Sequence, residues 1–400
     1  MKKNFNQYFL IYLLILLIFS YFFLFTKHQV GNDSTISEWF INYEGGFTKR
    51  GIIGQISIEL ARFFKSDLRW TIFLLQSFAC TLYFFLLYQL IKKLKFERIL
   101  ILSIFTPIFI LYPIAEIEVL ARKEILVFSL YLIYLMIPTN HFLKITSLSL
   151  FSLISILIWE PIIFFFPIIL LYEIIDRNIV KLNINLLKLS LSFLPGLIFA
   201  LIIITKPLST ENHDLMASIL KNEFGQECYM SCFLLKSKST IFQQFQGNFA
   251  SYSLVVFIRY SLIILIGFYP LNLLIKHSYF KDKTLVIFNI FKKPISPLII
   301  SLSPVIFLFA MGYDWGRWVN ITYVILALTF FKLLERSKLK IDYENLKDEF
   351  LYKIRGKTFL IFFLIFCFGW NPKTVVTGDV ASFPGYRVPY KIFKILEINL

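Results

Sequence analysis

The residues best able to do chemistry lie in the segment 312–318, which reads Gly-Tyr-Asp-Trp-Gly-Arg-Trp. It places the carboxylate of Asp314 three residues before the guanidinium of Arg317, among two tryptophans and two glycines. A carboxylate of this kind can act as a general base, and an arginine can bind phosphate oxygens through two hydrogen bonds. Aromatic side chains such as Trp315 can form the wall of a binding site. The alternative interpretation is an aromatic belt at a membrane surface with one ion pair.

A second candidate is the segment 39–51, which ends in Glu-Gly-Gly-Phe-Thr-Lys-Arg-Gly. Its two adjacent glycines permit a tight turn and the close approach of a ligand to the backbone. Glu44 precedes them, and the basic pair Lys49 and Arg50 follows, so an acid and two anion-binding groups are available together. The alternative interpretation is a basic anchor whose charges reach the membrane surface.

Two further strings carry charge between apolar segments. Residues 115–124 hold five charges, including Arg122 and Lys123, and Glu118 lies at the spacing of a helical ion pair with Arg122. Glu160 lies between two apolar runs, where burial would raise its pKa and suit it to act as a general acid. The alternative interpretations are a solvated turn with a salt bridge for the first string and a solvent-facing helix cap for Glu160.

One charge within an apolar run and one pair of cysteines complete the candidates. A charge at the position of Arg259 costs at least about 2.5–3.5 kcal/mol on membrane insertion, so it predicts a partner or a wet cavity. Cys228 and Cys232 are four residues apart, and we expect a local disulfide if they face an oxidising compartment, with free thiols as the alternative. A metal site would need more ligands than these two and the distant His213, so we expect no metal and no cofactor.

The composition shows which environment surrounds these residues. Hydrophobic residues make up 58% of the 400-residue chain, only 16% are charged, and the mean hydropathy is +0.71. A soluble domain has roughly 45–50% apolar and about 25% charged residues, so this chain has more apolar surface than a compact core can bury. The net charge of +16 would suggest nucleic acid in a soluble protein. Here membrane orientation accounts for it better, and we expect no nucleic-acid partner.

Apolar runs of near-spanning length predict an all-α, polytopic membrane protein with about 11 transmembrane helices in one domain, residues 1–400. The predicted spans are 8–25, 70–91, 99–113, 125–138, 142–159, 161–175, 189–205, 251–275, 295–311, 318–331 and 358–371. The fifth and sixth runs are short and meet at Glu160, so a re-entrant hairpin is the alternative for them.

Basic residues set the predicted orientation. With the N-terminus inside, the inner segments, of which 332–357 is the most basic, carry lysine and arginine at roughly twice the density of the outer ones. The long outer loops are then 26–69 and 206–250, and the C-terminus lies outside. Residues 52–64 present apolar side chains on one helical face, with Ile58 as the exception, which predicts an interfacial helix in the first outer loop. The candidate residues in loops and at helix ends all belong to the outer face.

The chain resembles the bacterial polysaccharide polymerases of the O-antigen and capsule type, which are many-helix proteins of the inner membrane. The strings Gly-Gly-Phe-Thr-Lys-Arg-Gly, Ala-Arg-Lys-Glu and Asp-Trp-Gly-Arg-Trp look like motifs of such a polytopic family. The long first outer loop, with its interfacial helix and an acid, is similar to that of GT-C-type glycosyltransferases. The resemblance implies functional roles for the outer-face arginines, Arg50, Arg122 and Arg317, and for the acid Glu44.

These features predict glycosyl transfer from a polyprenyl-diphosphate-linked sugar on the periplasmic face, as in polymerisation of lipopolysaccharide O-antigen or capsule repeats. The general base would be Glu44, Asp314 or Glu160. The residues expected to bind diphosphate and sugar are Lys49, Arg50, Arg122, Lys123, Arg259, Trp315 and Arg317. The expected partners are a lipid-linked oligosaccharide, membrane lipids and other polysaccharide-assembly proteins. The alternatives are a flippase for the same lipid-linked oligosaccharide and a non-catalytic membrane scaffold.

Overall fold

The computed structural model describes residues 2–29, 31, 33–139, 143–179, 181, 183–236, 241–249, 252–281 and 293–376. Nearly all of their regular secondary structure is α-helix, as the sequence predicts. A two-stranded antiparallel sheet is the addition: β1 (Ser278–Phe280) pairs with β2 (Leu339–Ile341). β1 falls in the predicted inner segment 276–294 and β2 in the predicted inner segment 332–357, so the all-α prediction is incomplete there.

The helices of the described residues follow one another with short connections. The first part of the chain forms α1 (Lys2–Gln29), α2 (Ser34–Phe40), α3 (Gly51–Phe64), α4 (Leu68–Ile91), α5 (Arg98–Phe105), α6 (Tyr112–Ala115), α7 (Ile117–Leu120), α8 (Glu124–Met136), α9 (Lys144–Ile158) and, after a 3₁₀-helix at Glu160–Phe165, α10 (Phe166–Asp176). The second part forms α11 (Ile184–Leu191), α12 (Leu194–Thr205), α13 (Thr210–Phe224), α14 (Met230–Phe233), α15 (Ile241–Phe249), α16 (Leu254–Lys276), α17 (Ile295–Leu302), α18 (Ile306–Met311), α19 (Trp315–Glu335), α20 (Tyr343–Leu346), α21 (Phe350–Lys353) and α22 (Gly356–Phe368).

Five helical segments among the described residues are long and apolar enough to cross a membrane. They are Phe5–Gln29, Leu68–Ile91, Ile184–Thr205, Leu254–Lys276 and Trp315–Glu335. The shorter apolar helices are Glu124–Met136, Lys144–Ile158, Ile295–Met311 and Gly356–Phe368. Because a helix needs about 20 apolar residues to cross the hydrocarbon core, these segments indicate a multi-pass membrane protein. The larger number of about 11 spans stays a prediction.

Prolines account for several runs that the sequence reads as single spans but that the structure divides. The run 99–113 loses its first helix after Phe105, two residues before Pro107. The run 295–311 changes to a short 3₁₀-helix around Pro304. Proline lacks an amide hydrogen and disfavours the helical conformation of the residue before it, so a helix ends or tightens there. Apolar length in the sequence therefore overstates the length of continuous helix.

The helix α19 lies at the centre of the bundle. It contacts α4, α8, α10 and α16, and nearly all of its residues are buried. Polar side chains on it pack against protein: Asn320 Nδ2 donates to the carbonyl of Ile108 at 2.8 Å, and Tyr131 shares a hydrogen bond with Thr329. Its 21 residues rise about 30 Å. We call its first turn and the loops around it the Arg317 end, and its last turn with the neighbouring loops the Lys332 end.

Candidate functional site

Eight charged side chains come together at the Arg317 end, and we call them the charge cluster. They are Glu38, Arg50, Arg122, Lys123, Glu124, Glu160, Asp314 and Arg317. Four segments that are far apart in the sequence supply them, namely the first long loop, the loop before α8, the turn before α10 and the start of α19. Four basic and four acidic groups make the cluster formally neutral.

A tight turn between α2 and α3 brings the first loop into the site. Gly46 N donates to the carbonyl of Tyr43 at 2.8 Å, and Gly46 has a φ of +111°, which glycine adopts without steric cost. The turn that the glycine pair predicts is therefore present. It leads directly into Lys49 and Arg50 at the start of α3.

Arg50 joins two of the acids of the charge cluster. Its Nε and Nη2 donate to the two carboxylate oxygens of Glu160 at 2.7 and 2.9 Å, and its Nη1 donates to Glu38 Oε1 at 2.8 Å. Such a two-pronged pair fixes geometry as well as adding energy. The backbone of Arg50 has a φ of +60°, which is uncommon for a residue with a Cβ, so the surrounding contacts hold it there. Arg50 positions α3 against the turn before α10.

Glu38 is the acid that the sequence does not single out. Its side chain is fully buried, and it pairs with Arg50 and, through Oε2 at 3.4 Å, with Arg122 Nη1. Burial raises the pKa of Glu38, but the surrounding cations outweigh burial and lower that pKa to about 2. The indole of Trp39 donates to the carbonyl of Ala121 at 2.7 Å and so ties α2 to the second charged loop. In the sequence, Glu38 could have been noticed as an acid in an otherwise uncharged short segment, 12 residues before Arg50, which needs a counter-charge.

Lys123 is the most deeply buried cation of the charge cluster. It is fully buried, and its Nζ donates to the backbone carbonyl of Arg50 at 2.7 Å. Burial lowers the pKa of Lys123 to about 7, because Glu38 offsets only part of the lost hydration. Its position inside the protein makes it a structural donor to the backbone of the first loop. The phosphate-binding role that the sequence suggests for Lys123 stays a prediction.

Arg317 and Asp314 form the second half of the charge cluster. Arg317 Nη1 lies 2.7 Å from Asp314 Oδ2, and its Nε lies 3.2 Å from Glu124 Oε1. The guanidinium carbon is 4.3 Å from the ring centroid of Trp318, a cation–π distance. Trp315, by contrast, is buried among aromatic rings, and its indole donates to the carbonyl of Phe309 at 2.7 Å. Trp315 packs within the protein in this structure, and its predicted role in the wall of a binding site stays a prediction.

Glu160 is the acid of the cluster that borders a cavity. Burial raises its pKa, but the Arg50 guanidinium and the nearby Lys49 ammonium outweigh burial, and the net pKa of Glu160 is lowered. The carboxylate is therefore ionised at neutral pH. The expected direction of the pKa shift is therefore wrong, because the sequence does not reveal the two-pronged pairing with Arg50. The catalytic role of Glu160 stays a prediction.

The cavity beside Glu160, which we call the Lys49 cavity, has a volume of about 310 Å³. Its charged lining consists of Lys49, Lys206 and Glu160. Its apolar lining includes Ile163 and Phe164 of the 3₁₀-helix, Ala200, Ile203 and Ile204 of α12, and Met311 of α18. Neither lysine forms an ion pair within 4 Å among the described residues. A group with a negative head and an apolar tail fits this lining.

Two of the candidate residues lie elsewhere. Glu44 pairs with Arg62 at 2.7 Å, and Arg62 also binds Glu223 of α13, so these three form a separate surface network. Arg259 lines a cavity of about 490 Å³, which is otherwise apolar and includes Trp370. The ion pair of Glu44 is therefore outside the charge cluster, and Arg259 borders a different cavity from Glu160. The first-loop acid at the centre of the site is Glu38, where the resemblance pointed to Glu44.

The helix α3 has the predicted position but a different inward face. Phe63 and Phe64, from the predicted apolar face, are 79% and 67% exposed, as a membrane-facing surface would be. The buried face is made of small residues and of Ile58, the exception to the sequence pattern. An apolar face predicts contact with an apolar environment, which in a membrane includes lipid, so the pattern alone does not identify the protein-facing side.

The cysteine pair lies in the long loop before α16. Cys228 and Cys232 form a disulfide with a Cα–Cα distance of 5.3 Å. His213 Nε2 lies 3.1 Å from Cys228 Sγ. The disulfide occupies both sulfur atoms, so this group of three side chains offers a metal ion no thiolate.

The charge cluster and the Lys49 cavity are the features from which a function can be inferred. They combine buried ion pairs, two lysines on a cavity wall, one ionised carboxylate and an apolar surface that continues along α12. Comparison of the chain with protein-family models, with curated proteins and with solved structures finds no match in any of the three.

Proposed function

We propose that the protein transfers a sugar from a polyprenyl-diphosphate-linked donor to a hydroxyl group of an acceptor saccharide at the Arg317 end. The observation that carries the proposal is the Lys49 cavity, in which Lys49, Lys206 and Glu160 meet an apolar wall. A lipid diphosphate has the matching chemistry, with a strongly negative head and a hydrocarbon tail. The apolar residues of α12 would accept the first isoprene units, and the lysines would bind the diphosphate.

The cations of the site then fall into two groups. Arg50 and Arg317 are paired with acids of the charge cluster, so we assign them to positioning the helices that carry them. Lys49 and Lys206 face the cavity and can each contribute a compact positive charge to the diphosphate. Stabilising the departing diphosphate in this way lowers the barrier without a metal ion.

Glu160 is the group that we assign to the acceptor. The acceptor hydroxyl oxygen attacks the anomeric carbon, the bond between that carbon and the diphosphate oxygen breaks, and the hydroxyl proton passes to Glu160. An ionised carboxylate is in the correct form to accept this proton. Its lowered pKa makes it a weak base, so the transfer would come late, when the attacking hydroxyl has become acidic.

The proposal places the Arg317 end on the periplasmic side of a bacterial inner membrane, with the N-terminus inside and about 11 spans. It takes as substrate a lipid-linked oligosaccharide, and polymerisation of O-antigen or capsule repeat units is the specific reaction. The substrate and the reaction rest on the sequence resemblance, and the orientation rests on the distribution of basic residues. Other proteins of polysaccharide assembly would supply the substrate.

Deletion of the gene, followed by electrophoresis of surface polysaccharide, tests the proposal. Loss of a polymerase leaves a single repeat unit on its anchor, and an unchanged ladder would refute the whole polysaccharide assignment. The deletion strain is then complemented with Lys49→Gln/Lys206→Gln, which we expect to give short chains. The control is Lys65→Gln, which removes an exposed lysine of the same outer region and should restore the full ladder.

A transporter for the same lipid-linked oligosaccharide is the second candidate. It is favoured by a polar cavity of about 1060 Å³ at the Lys332 end, which gives the molecule charged cavities at both ends of α19. The same electrophoresis separates the two, since loss of the transporter leaves no repeat unit on the anchor.

A further inference from the structure

The cavity at the Lys332 end is polar and strongly basic. It lies among the ends of α4, α8, α10 and α19 and has a volume of about 1060 Å³. Its basic lining consists of Lys93, Arg177, Lys332, Arg336 and Lys338. It opens where two spanning segments end, and we call it the basic cavity.

The acids of the basic cavity do not balance its cations. Asp176 binds Arg336 at 2.7 Å, and Glu335 binds Lys332 at 2.6 Å and Lys93 at 3.2 Å. Among the described residues that line the cavity, five are basic and two are acidic, and the basic residues outnumber the acids even when Lys338 is left out of the count.

A third acid behind the wall leaves this excess unchanged. Glu173 is fully buried and binds Arg177 at 2.7 Å, but it also lies 3.6 Å from the buried Lys144. One carboxylate therefore serves two cations. Arg177 Nη2 is buried and makes no hydrogen bond to the described residues, so it remains as a donor beside the cavity.

We propose that the basic cavity binds a phosphate group. Guanidinium and ammonium groups around a concave surface are the donors that phosphate oxygens require, and a lining with more basic than acidic residues suits an anionic ligand. Basic pockets between membrane helices commonly bind the head groups of anionic lipids. Apolar residues on the same wall, among them Met136, Ile145 and Leu189, could contact the glycerol and first carbons of such a lipid.

This site is separate from the site proposed for glycosyl transfer. The two lie at opposite ends of α19, about 30 Å apart along its axis. No residue is shared between them, so either proposal can fail while the other stands.

The test compares the full-length protein with two charge-matched double variants in detergent. Lys93→Gln/Lys338→Gln removes two cations from the wall, and Glu335 keeps its bond to Lys332, so the fold should persist. The control is Lys95→Gln/Lys188→Gln, which removes two exposed lysines that do not line the cavity. Titration calorimetry would measure the binding of phosphatidylglycerol and of phosphatidylcholine in mixed micelles. Inorganic phosphate would be titrated in the same detergent solution, and the ionic strength would be the same for all three probes.

We expect an anionic probe to bind the unchanged protein and the control equally. Its Kd for the cavity variant should rise about 25-fold, since each of the two lysines contributes about 1 kcal/mol, a factor of about five. If phosphatidylglycerol shows this loss and inorganic phosphate does not bind, the ligand is a lipid head group. If inorganic phosphate shows it, the ligand is a soluble phosphate compound. Equal affinities of all three proteins for every probe would overturn the proposal.

Discussion

At the scale of single residues, the charge cluster separates residues that hold the site from residues that can act in it. The sequence indicates Arg50, Arg122, Glu160 and Arg317 as members of one outer site, and they do lie together. It cannot say which acid each cation binds, because some of the pairs join distant segments, as Arg50 and Glu160 do across 110 residues. Glu38 shows this limit, since only its three-dimensional neighbours distinguish it from any other acid in a short helix.

Two of the three candidate bases, Glu160 and Glu44, now differ in a testable way. Glu160 borders the Lys49 cavity, whereas Glu44 belongs to a surface network with Arg62. We expect Glu160→Gln to lower the rate of sugar transfer by about 100-fold or more, the usual contribution of a general base. Glu44→Gln should change it less than about three-fold. The measurement is incorporation of sugar into lipid-linked saccharide by membranes containing equal amounts of each protein.

The buried lysine predicts how stability depends on pH. The pKa of Lys123 is about 7 in the folded protein and about 10.4 when unfolded, so between these values only the unfolded chain carries the proton. Stability should therefore rise as the pH increases from about 7 to about 10. Thermal unfolding in detergent at several pH values measures this rise, and Lys123→Met should make it smaller.

A control lysine keeps that test specific. Lys95 is 77% exposed, so Lys95→Gln should leave the rise with pH unchanged. The lowered pKa of Lys49 contributes in the same direction in every variant. An equal slope in the unchanged protein and in Lys123→Met would show that Lys123 keeps its proton in the folded state.

At the scale of elements, helices are well predicted and their inward faces are not. The apolar pattern of residues 52–64 correctly predicts α3, yet the face that packs on the protein is built of small residues such as Gly54 and Ala61. In a membrane protein, close helix contacts depend on small side chains as much as on apolar ones. The predicted spans that end or tighten at prolines show the same limit, because hydropathy measures how apolar a segment is and not whether its backbone can form a continuous helix.

Gly54 should be essential for the position of α3. A Cβ at this residue would lie 1.9 Å from the carbonyl oxygen of Ile41 and 2.8 Å from that of Trp39, so α3 would have to move. We expect Gly54→Ala to lower the free energy of unfolding by about 1–3 kcal/mol, as other overpacked substitutions do. The displaced helix should also misplace Arg50 and reduce activity.

The matched control is Gly247→Ala in α15, where a Cβ would meet no atom within 4 Å. It should leave the unfolding temperature unchanged or raise it slightly, because alanine favours helix. If Gly54→Ala behaves like this control, the contact between α3 and the preceding loop is looser than the structure shows.

At the scale of the whole molecule, the orientation in the membrane links the site to its proposed substrate. The sequence places the charge cluster outside through the distribution of lysine and arginine, and the structure shows that the predicted outer segments do meet at one end of α19. The predicted outer segments lie together whichever side of the membrane that end of α19 faces. The side itself is a prediction that labelling can decide.

We therefore predict opposite labelling of two introduced cysteines in intact cells. Glu118 is an exposed residue of α7 at the Arg317 end, and Lys95 is an exposed residue at the Lys332 end, so each is replaced by cysteine in turn. The native Cys80 and Cys367 are buried, so they should react little. A maleimide that cannot cross the inner membrane should label position 118 before lysis and position 95 only after it. The reverse result would put the charge cluster in the cytoplasm, where a periplasmic polymerase could not use it, and would leave the ion pairs and the fold as described.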